Sequence, residues 1–237
     1  MAEVQLARTG PRLPNPTSSA LDVSVGGSPP GGGLRMVWLG DSTAAGVGAS
    51  DPDRSLPLQV AAGLGRPVEV VVLARSGARL GDVLDDQLPR VAALDPDVVV
   101  VSIGANDVVH LTTKSRFTSR YRRLLDQLRP SVTGPSVTGP SVVVLGIPDM
   151  GAPPRFAQPL RAVAGWRGRA LDHGIREAVA GRSEVRHVDI AGRTGPGMRR
   201  DPDRYFALDR YHPNEAGYGL WAGAVLEVLR SVLLGTG

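Results

Sequence analysis

The sequence predicts an α/β protein, a three-layer α/β/α sandwich built on a five-stranded parallel sheet. Three observations carry that expectation. Short apolar runs recur five times, the middle three are rich in valine and nearly unbroken, and stretches with helical periodicity lie between them. Alternation of polar and apolar residues would mark a strand with one wet face, whereas continuous valine marks a strand covered on both. Strands of that kind separated by helices form a parallel sheet with right-handed crossovers.

The first run spans residues 34–40, Leu-Arg-Met-Val-Trp-Leu ending in Gly40. The others cover 68–74, 97–104, 141–147 and 184–190. Helices are expected over 56–64, 80–94, 116–128, 160–180 and 213–234, the first and last opening on prolines suited to a first turn. The expected sheet order is 2-1-3-4-5, a flavodoxin-like arrangement.

With 237 residues, 42% of them hydrophobic and 21% charged, the chain is long enough to bury a full core. It has no cysteine, which excludes disulfides, thiolate metal sites and a cysteine nucleophile. The formal charge of +4 comes from arginine, Lys114 being the sole lysine. These arginines are interleaved with Asp and Glu and accompanied by few aromatics, a pattern of solvated surface with no nucleic-acid partner. No apolar run approaches the ~20 residues of a membrane span.

Residues 1–33 are rich in Pro, Gly and Ser and are expected to be a flexible tail ahead of a domain over 34–237. That tail has neither the basic start nor the apolar stretch of a signal peptide, so the chain as written suits the cytoplasm; a different start would change this. Ser131-Val-Thr-Gly-Pro is repeated from Ser136, which describes a lengthened surface loop. Asp51-Pro-Asp-Arg and Asp201-Pro-Asp-Arg are turns without chemistry.

Ligands of open parallel sheets bind beyond the carboxyl ends of the strands. At those ends stand Gly40-Asp41-Ser42, Ser76-Gly77-Ala78, Gly104-Ala105-Asn106-Asp107 and, before the last helix, Asp209-Arg210-Tyr211-His212-Pro213-Asn214. Each alone has an ordinary reading: Ser42 as a helix N-cap, Asn106-Asp107 as a turn. Together, in this order and spacing, they resemble the four blocks of the SGNH (GDSL-type) hydrolase family, over about residues 34–234.

The resemblance implies ester hydrolysis through an acyl-enzyme. Serine needs a neighbouring base, and His212 fits where His110, His173 and His187 suit other roles. Asp209, three residues earlier, is close enough to orient the imidazole. By resemblance the oxyanion donors are the backbone N–H groups of Ser42 and Gly77 and the side-chain amide of Asn106. Asp41 and Asp107 are expected to brace their loops. The family often carries an asparagine a few residues before the second-block glycine; Val72-Leu-Ala-Arg75 has none, which leaves the bracing of that loop open. Arg75 and Arg79 flank Gly77, a position suited to meeting an acidic substrate group.

No metal-binding constellation, P-loop or dinucleotide fingerprint is present in the sequence, so no metal or organic cofactor is expected. The chain is expected to act as a monomer on a small or lipid-like ester. Pro148 to Phe156 and Val108 to Thr113 are expected to wall the substrate, favouring short or accessible acyl groups. Acyl transfer by the same triad, or a non-catalytic binding module on the same fold, are the rival functions.

Overall fold

In the computed structural model the described residues are 33–128 and 139–234. The tail expected over 1–33 and the doubled pentapeptide fall outside them, apart from Gly33 and residues 139–140.

The five strands are β1 (Leu34–Gly40), β2 (Val68–Val72), β3 (Val98–Ser102), β4 (Ser141–Leu145) and β5 (Val185–Val188). All pair in parallel, in the order β2-β1-β3-β4-β5. The expected flavodoxin-like sheet is therefore the observed one. β3 shows why unbroken valine works. Val99 and Val101 face one core and Val98 and Val100 the other, all with no exposed surface. β1 matches its apolar run, while β2 to β5 are shorter than theirs, chiefly because residues beyond their carboxyl ends turn into loops.

One face is covered by an irregular helical segment over 80–94, then α3 (Lys114–Gln127) and α4 (Leu160–Val179), reached through the short α2 (Ala105–Val109). The other is covered by α1 (Leu56–Gly63), α5 (Ile190–Arg200) and α7 (Glu215–Leu234), with the single turn α6 (Pro202–Tyr205) between the last two. Among the described residues no helix is long and apolar enough to cross a membrane.

Two expectations need correction. Residues 80–94 do not form a regular helix: one α turn passes into a π turn over Val83–Gln87 and two 3₁₀ turns, Leu88–Arg90 and Ala92–Leu94. Pro89 supplies the reason, since it has no N–H for the helical ladder and its ring crowds the carbonyl of Asp85. Conversely, the stretch between β5 and Asp209 contains α5 where the sequence predicts a loop. Its Gly192, Gly195, Pro196 and Gly197 argue against a helix locally. Tertiary packing outweighs them: Asp189 caps the start by accepting from Gly192 N–H at 2.9 Å, and Ile190, Thr194 and Met198 are buried along one face. The last helix begins at Glu215, two residues later than expected. Pro213 instead bridges to Phe206, and Asn214 Oδ1 accepts from the Gly217 N–H at 3.0 Å.

The π turn has a consequence for the end of β1. It carries Gln87, 3% exposed, whose Oε1 accepts from the Gly40 N–H at 2.8 Å while its Nε2 donates to the Gly40 carbonyl at 2.9 Å. Gln87→Leu leaves the buried Gly40 N–H without its partner and the Gly40 carbonyl with the Arg75 N–H alone, at 3.2 Å. We expect a loss of about 1–3 kcal/mol in urea denaturation; a change under about 0.5 kcal/mol would show that the Gly40 N–H finds another partner.

Candidate active site

Gly40 ends β1 with φ +150°, and a Cβ there would stand 2.0 Å from the Ser102 carbonyl oxygen at the end of β3. The chain therefore turns sharply, and the Asp41 N–H donates to that same carbonyl at 3.1 Å. Asp41 is 1% exposed. Its Oδ1 accepts from the Thr43 N–H at 3.0 Å and from the Thr43 hydroxyl at 2.9 Å, and Thr43 Oγ1 reaches Ser102 Oγ at 2.9 Å. This buried knot holds Ser42, whose carbonyl accepts from Val47 N–H at 2.9 Å.

Ser42 Oγ lies 3.0 Å from His212 Nε2, and His212 Nδ1 lies 2.5 Å from Asp209 Oδ2. The second oxygen of Asp209 accepts from the N–H groups of Tyr211 and His212, both at 3.0 Å. Burial works against the Asp209 carboxylate, but the His212 ring and these two N–H groups outweigh it and hold its pKa below the ordinary value. Charged, it fixes Nδ1 as the protonated nitrogen and turns the Nε2 lone pair towards Ser42. Tyr211 packs its ring edge-on against both Phe156 and His212, with centroids 5.4 and 4.9 Å apart. Gly48 admits the histidine loop. Its φ is +105°, and a Cβ there would stand 2.2 Å from Pro213 O and 2.9 Å from His212 Cβ. Tyr218 OH donates to Val47 O, and Asn214 Nδ2 donates to Arg204 O at 2.9 Å, so both sides of the contact are anchored.

The other two sequence blocks meet beside this set. Asn106 Nδ2 donates one hydrogen to Ala78 O at 3.0 Å, which leaves its second for a ligand. Gly77 has φ +81° and no atom within 4 Å of where a Cβ would be. The 1% exposed Asp107 joins the two loops, accepting from Leu80 N–H and Thr112 Oγ1, each at 2.9 Å. Burial raises its pKa against the pull of those bonds and of Arg79 and Arg120. The second-block loop thus has Asp107 as its brace, together with the Arg75 N–H that donates to Gly40 O at 3.2 Å.

A small, mainly apolar cavity of about 40 Å³ opens from Ser42 and His212 between Met150, Ala152, Met198, Phe206 and Trp221. The segment starting at Pro148 contributes a wall, as expected. Val108 to Thr113 do not: His110 to Thr113 line a separate groove on the other flank. α5 and α7 take their place, through Met198 and Trp221. His187 and Asp172 form a partly buried pair away from the site, at 3.2 Å. His173 lies on the surface beside Lys114 and Glu177. Among the described residues no cluster of His, Asp or Glu is arranged to hold a metal ion.

Fold and site together define an α/β sandwich protein with a serine, histidine and aspartate in hydrogen-bonded series at a strand end. The family model for the GDSL-like lipase/acylhydrolase family matches residues 38–220, and the chain belongs to that family. No curated protein sequence matches it significantly. Among solved structures it is similar to a lipase/acylhydrolase from Enterococcus faecalis (20% identity, TM-score 0.64, covering 84% of this chain and 96% of that one). It is also similar to an acetylxylan esterase from Geobacillus stearothermophilus (21%, 0.58, 83% and 94%). A third is phospholipase A1 from Streptomyces albidoflavus NA297 (24%, 0.60, 84% and 99%). At these identities the likeness is one of fold.

Asp41 and Asp209 shift in opposite directions, which gives a measurable signature. Burial pushes Asp41 up from 3.8 to about 6, against its bonds from Thr43 and the nearby His212. Between those values the native state binds a proton that the unfolded chain does not, so this group stabilises the fold below its ordinary pKa and that contribution is lost as pH rises through about 6. Asp41→Asn keeps the acceptor for Thr43 but cannot titrate. The wild type should gain stability relative to the variant as pH falls from about 7 to 4, in urea denaturation. A difference that stays constant with pH would contradict the assignment.

Proposed function

We propose that the protein hydrolyses carboxylic esters through an acyl-enzyme on Ser42. The observation that carries this reading is the series Ser42 Oγ, His212, Asp209, with spacings of 3.0 and 2.5 Å at the end of β1. The Ser42 oxygen attacks the acyl carbonyl as its proton passes to His212 Nε2, and Asp209 stabilises the imidazolium. The carbonyl oxygen becomes an oxyanion held by the Ser42 and Gly77 N–H groups and the free amide hydrogen of Asn106. Collapse breaks the bond to the alcohol oxygen, which leaves with the proton from His212. Water then repeats the sequence on the acyl-serine, His212 taking its proton, and releases the acid and free Ser42.

The small apolar cavity beside Ser42 supports short acyl groups as substrates. Two methionines and the rings of Phe206, Tyr211 and Trp221 line it, and little room is left for a chain of many methylenes.

A chain-length series of p-nitrophenyl esters tests the reading. Ser42→Ala and His212→Ala should each lower kcat by at least about 10³-fold, and Ser42→Ala should abolish labelling by a fluorophosphonate probe. Wild-type rates in both variants would overturn the site. Asn106→Ala should lower kcat on the order of 10²–10³-fold with little change in KM, because its bond strengthens only as the oxyanion forms.

Met198 provides a separate test of the acyl pocket. Met198→Ala should raise the ratio of octanoyl to acetyl ester kcat/KM by about tenfold or more, the scale at which single methylenes are discriminated in apolar pockets. An unchanged ratio would show that the acyl group lies elsewhere.

A further inference from the structure

Opposite the acyl cavity lies a second concavity that the ester chemistry above does not use. It is a groove of about 400 Å³ between the loop after β2 and the start of α3. Three guanidinium groups converge on it: Arg79 from the loop, and Arg116 and Arg120 from α3. Arg120 reaches across, its Nη1 lying where a Cβ at residue 81 would be only 3.1 Å away, so Gly81 lets it rest on the opposite wall.

Among the described residues none of these three arginines forms an ion pair with a carboxylate. Asp107 feels Arg79 and Arg120 through space, but its two oxygens are taken by Leu80 N–H and Thr112 Oγ1. Asp82 lines the groove too, and its oxygens are engaged by Arg75 at 3.4 Å and by the Arg79 N–H at 2.7 Å. Asp85 is the one other acid lining it, against three cations. The arrangement is costly without a ligand. Arg116 and Arg120 stand one helical turn apart, a like-charge spacing that weakens a helix. Arg116 also lies in the first turn of α3, at the positive end of the helix dipole, where no acidic residue offsets it. Lys114, its neighbour in that turn, is paired with Glu177 at 2.7 Å. A bound oxyanion removes both penalties, and planar guanidinium forks match phosphate and carboxylate oxygens two at a time.

The groove is built on the same two loops as the Gly77 and Asn106 side of the site. Arg79 lies two residues from Gly77, and His110, at the groove's end, donates from Nδ1 to the Asn106 carbonyl at 2.8 Å. The acyl cavity is built from segments after β4 and β5, the groove from segments after β2 and β3. With the acyl group of an ester in the cavity, the loops that form the groove are the ones left to face its alcohol portion.

We propose that this groove is an oxyanion-binding site, receiving a phosphate or carboxylate carried on the alcohol side of the ester. The site itself stands on the arginine geometry; the assignment to substrate rests on the esterase reading above. The test is calorimetric titration of inorganic phosphate into the full chain and its Arg116→Gln/Arg120→Gln double variant, with circular dichroism to verify folding. Saturable binding that weakens at least tenfold in the double variant is expected. Absence of saturable binding, or equal binding by both proteins, overturns the site. If the double variant does not fold, Arg79→Gln on the opposite wall carries the same expectation.

The source of the anion is read from kinetics on two acetate esters, one of neutral p-nitrophenol and one of 4-hydroxybenzoate. The kcat/KM ratio of acidic to neutral ester should fall at least tenfold in the double variant. An unchanged ratio, with phosphate binding still lost, overturns the substrate assignment in favour of a free anion. If the wild type cleaves neither ester, the esterase reading fails while the phosphate titration still decides the site.

Discussion

The close approach of β1 and β3 at their carboxyl ends governs the geometry around Ser42. With a Cβ at Gly40 only 2.0 Å from Ser102 O, the chain can turn there only without a side chain. The turn consumes hydrogen-bonding groups that a strand end normally leaves to water, so each needs a specific partner. Gln87 takes both backbone groups of Gly40, Ser102 O takes the Asp41 N–H, and Thr43 takes the Asp41 carboxylate. Ser42 is rigid because every neighbour of its backbone is committed. A second approach of the same kind, Gly48 against Pro213 O, brings the histidine loop to it from a segment more than 160 residues away in the chain, as the Ser42–His212 pair also is.

The two carboxylates close to this centre show how environment divides their work. Asp209 and Asp41 are both largely withdrawn from water, a change that by itself disfavours charge. Asp209 recovers its charge from the His212 ring and two backbone N–H groups. Asp41 has only the two bonds from Thr43, both on one oxygen, and burial prevails. The carboxylate that keeps its charge to the lower pH is the one touching imidazole, as support for an imidazolium requires. The other is better suited to holding a loop than to exchanging protons with a substrate.

Much of this is legible in the sequence because the informative features are local. Unbroken valine at 98–101 announces a strand buried on both faces, and the strand-end positions of Ser42, Gly77 and Asn106 follow from where each run stops. What escapes is non-local. Nothing near Gln87 announces that it bonds a glycine 47 residues away, and the π turn that presents it arises from Pro89, a breaker inside an otherwise helical pattern. α5 escapes for the opposite reason, its glycines and proline outvoting a buried face that only tertiary packing reveals. Without α5 there is no place for Met198, and Val108–Thr113 are named as a substrate wall in its stead. The cap at Asn214 is within reach of sequence reasoning, since a polar residue just ahead of an apolar periodic stretch is a helix-start signal.

The apolar cavity at Ser42 and the arginine groove differ in kind, and this bears on where selectivity resides. A small apolar cavity of about 40 Å³ discriminates by size, and each methylene that does not fit costs roughly 1–3 kcal/mol. A groove ten times larger and lined by arginines without ion-pair partners discriminates poorly by size but strongly by charge. On the proposed reading the acyl half is therefore screened by steric fit and the alcohol half by electrostatics. The first acts in the acyl-enzyme as well as before it, because the acyl group remains in its cavity until water arrives. The second acts only until the alcohol departs, so its contribution is confined to forming the acyl-enzyme. Binding energy from the arginines can then favour acylation of Ser42 without holding back the hydrolysis that frees it.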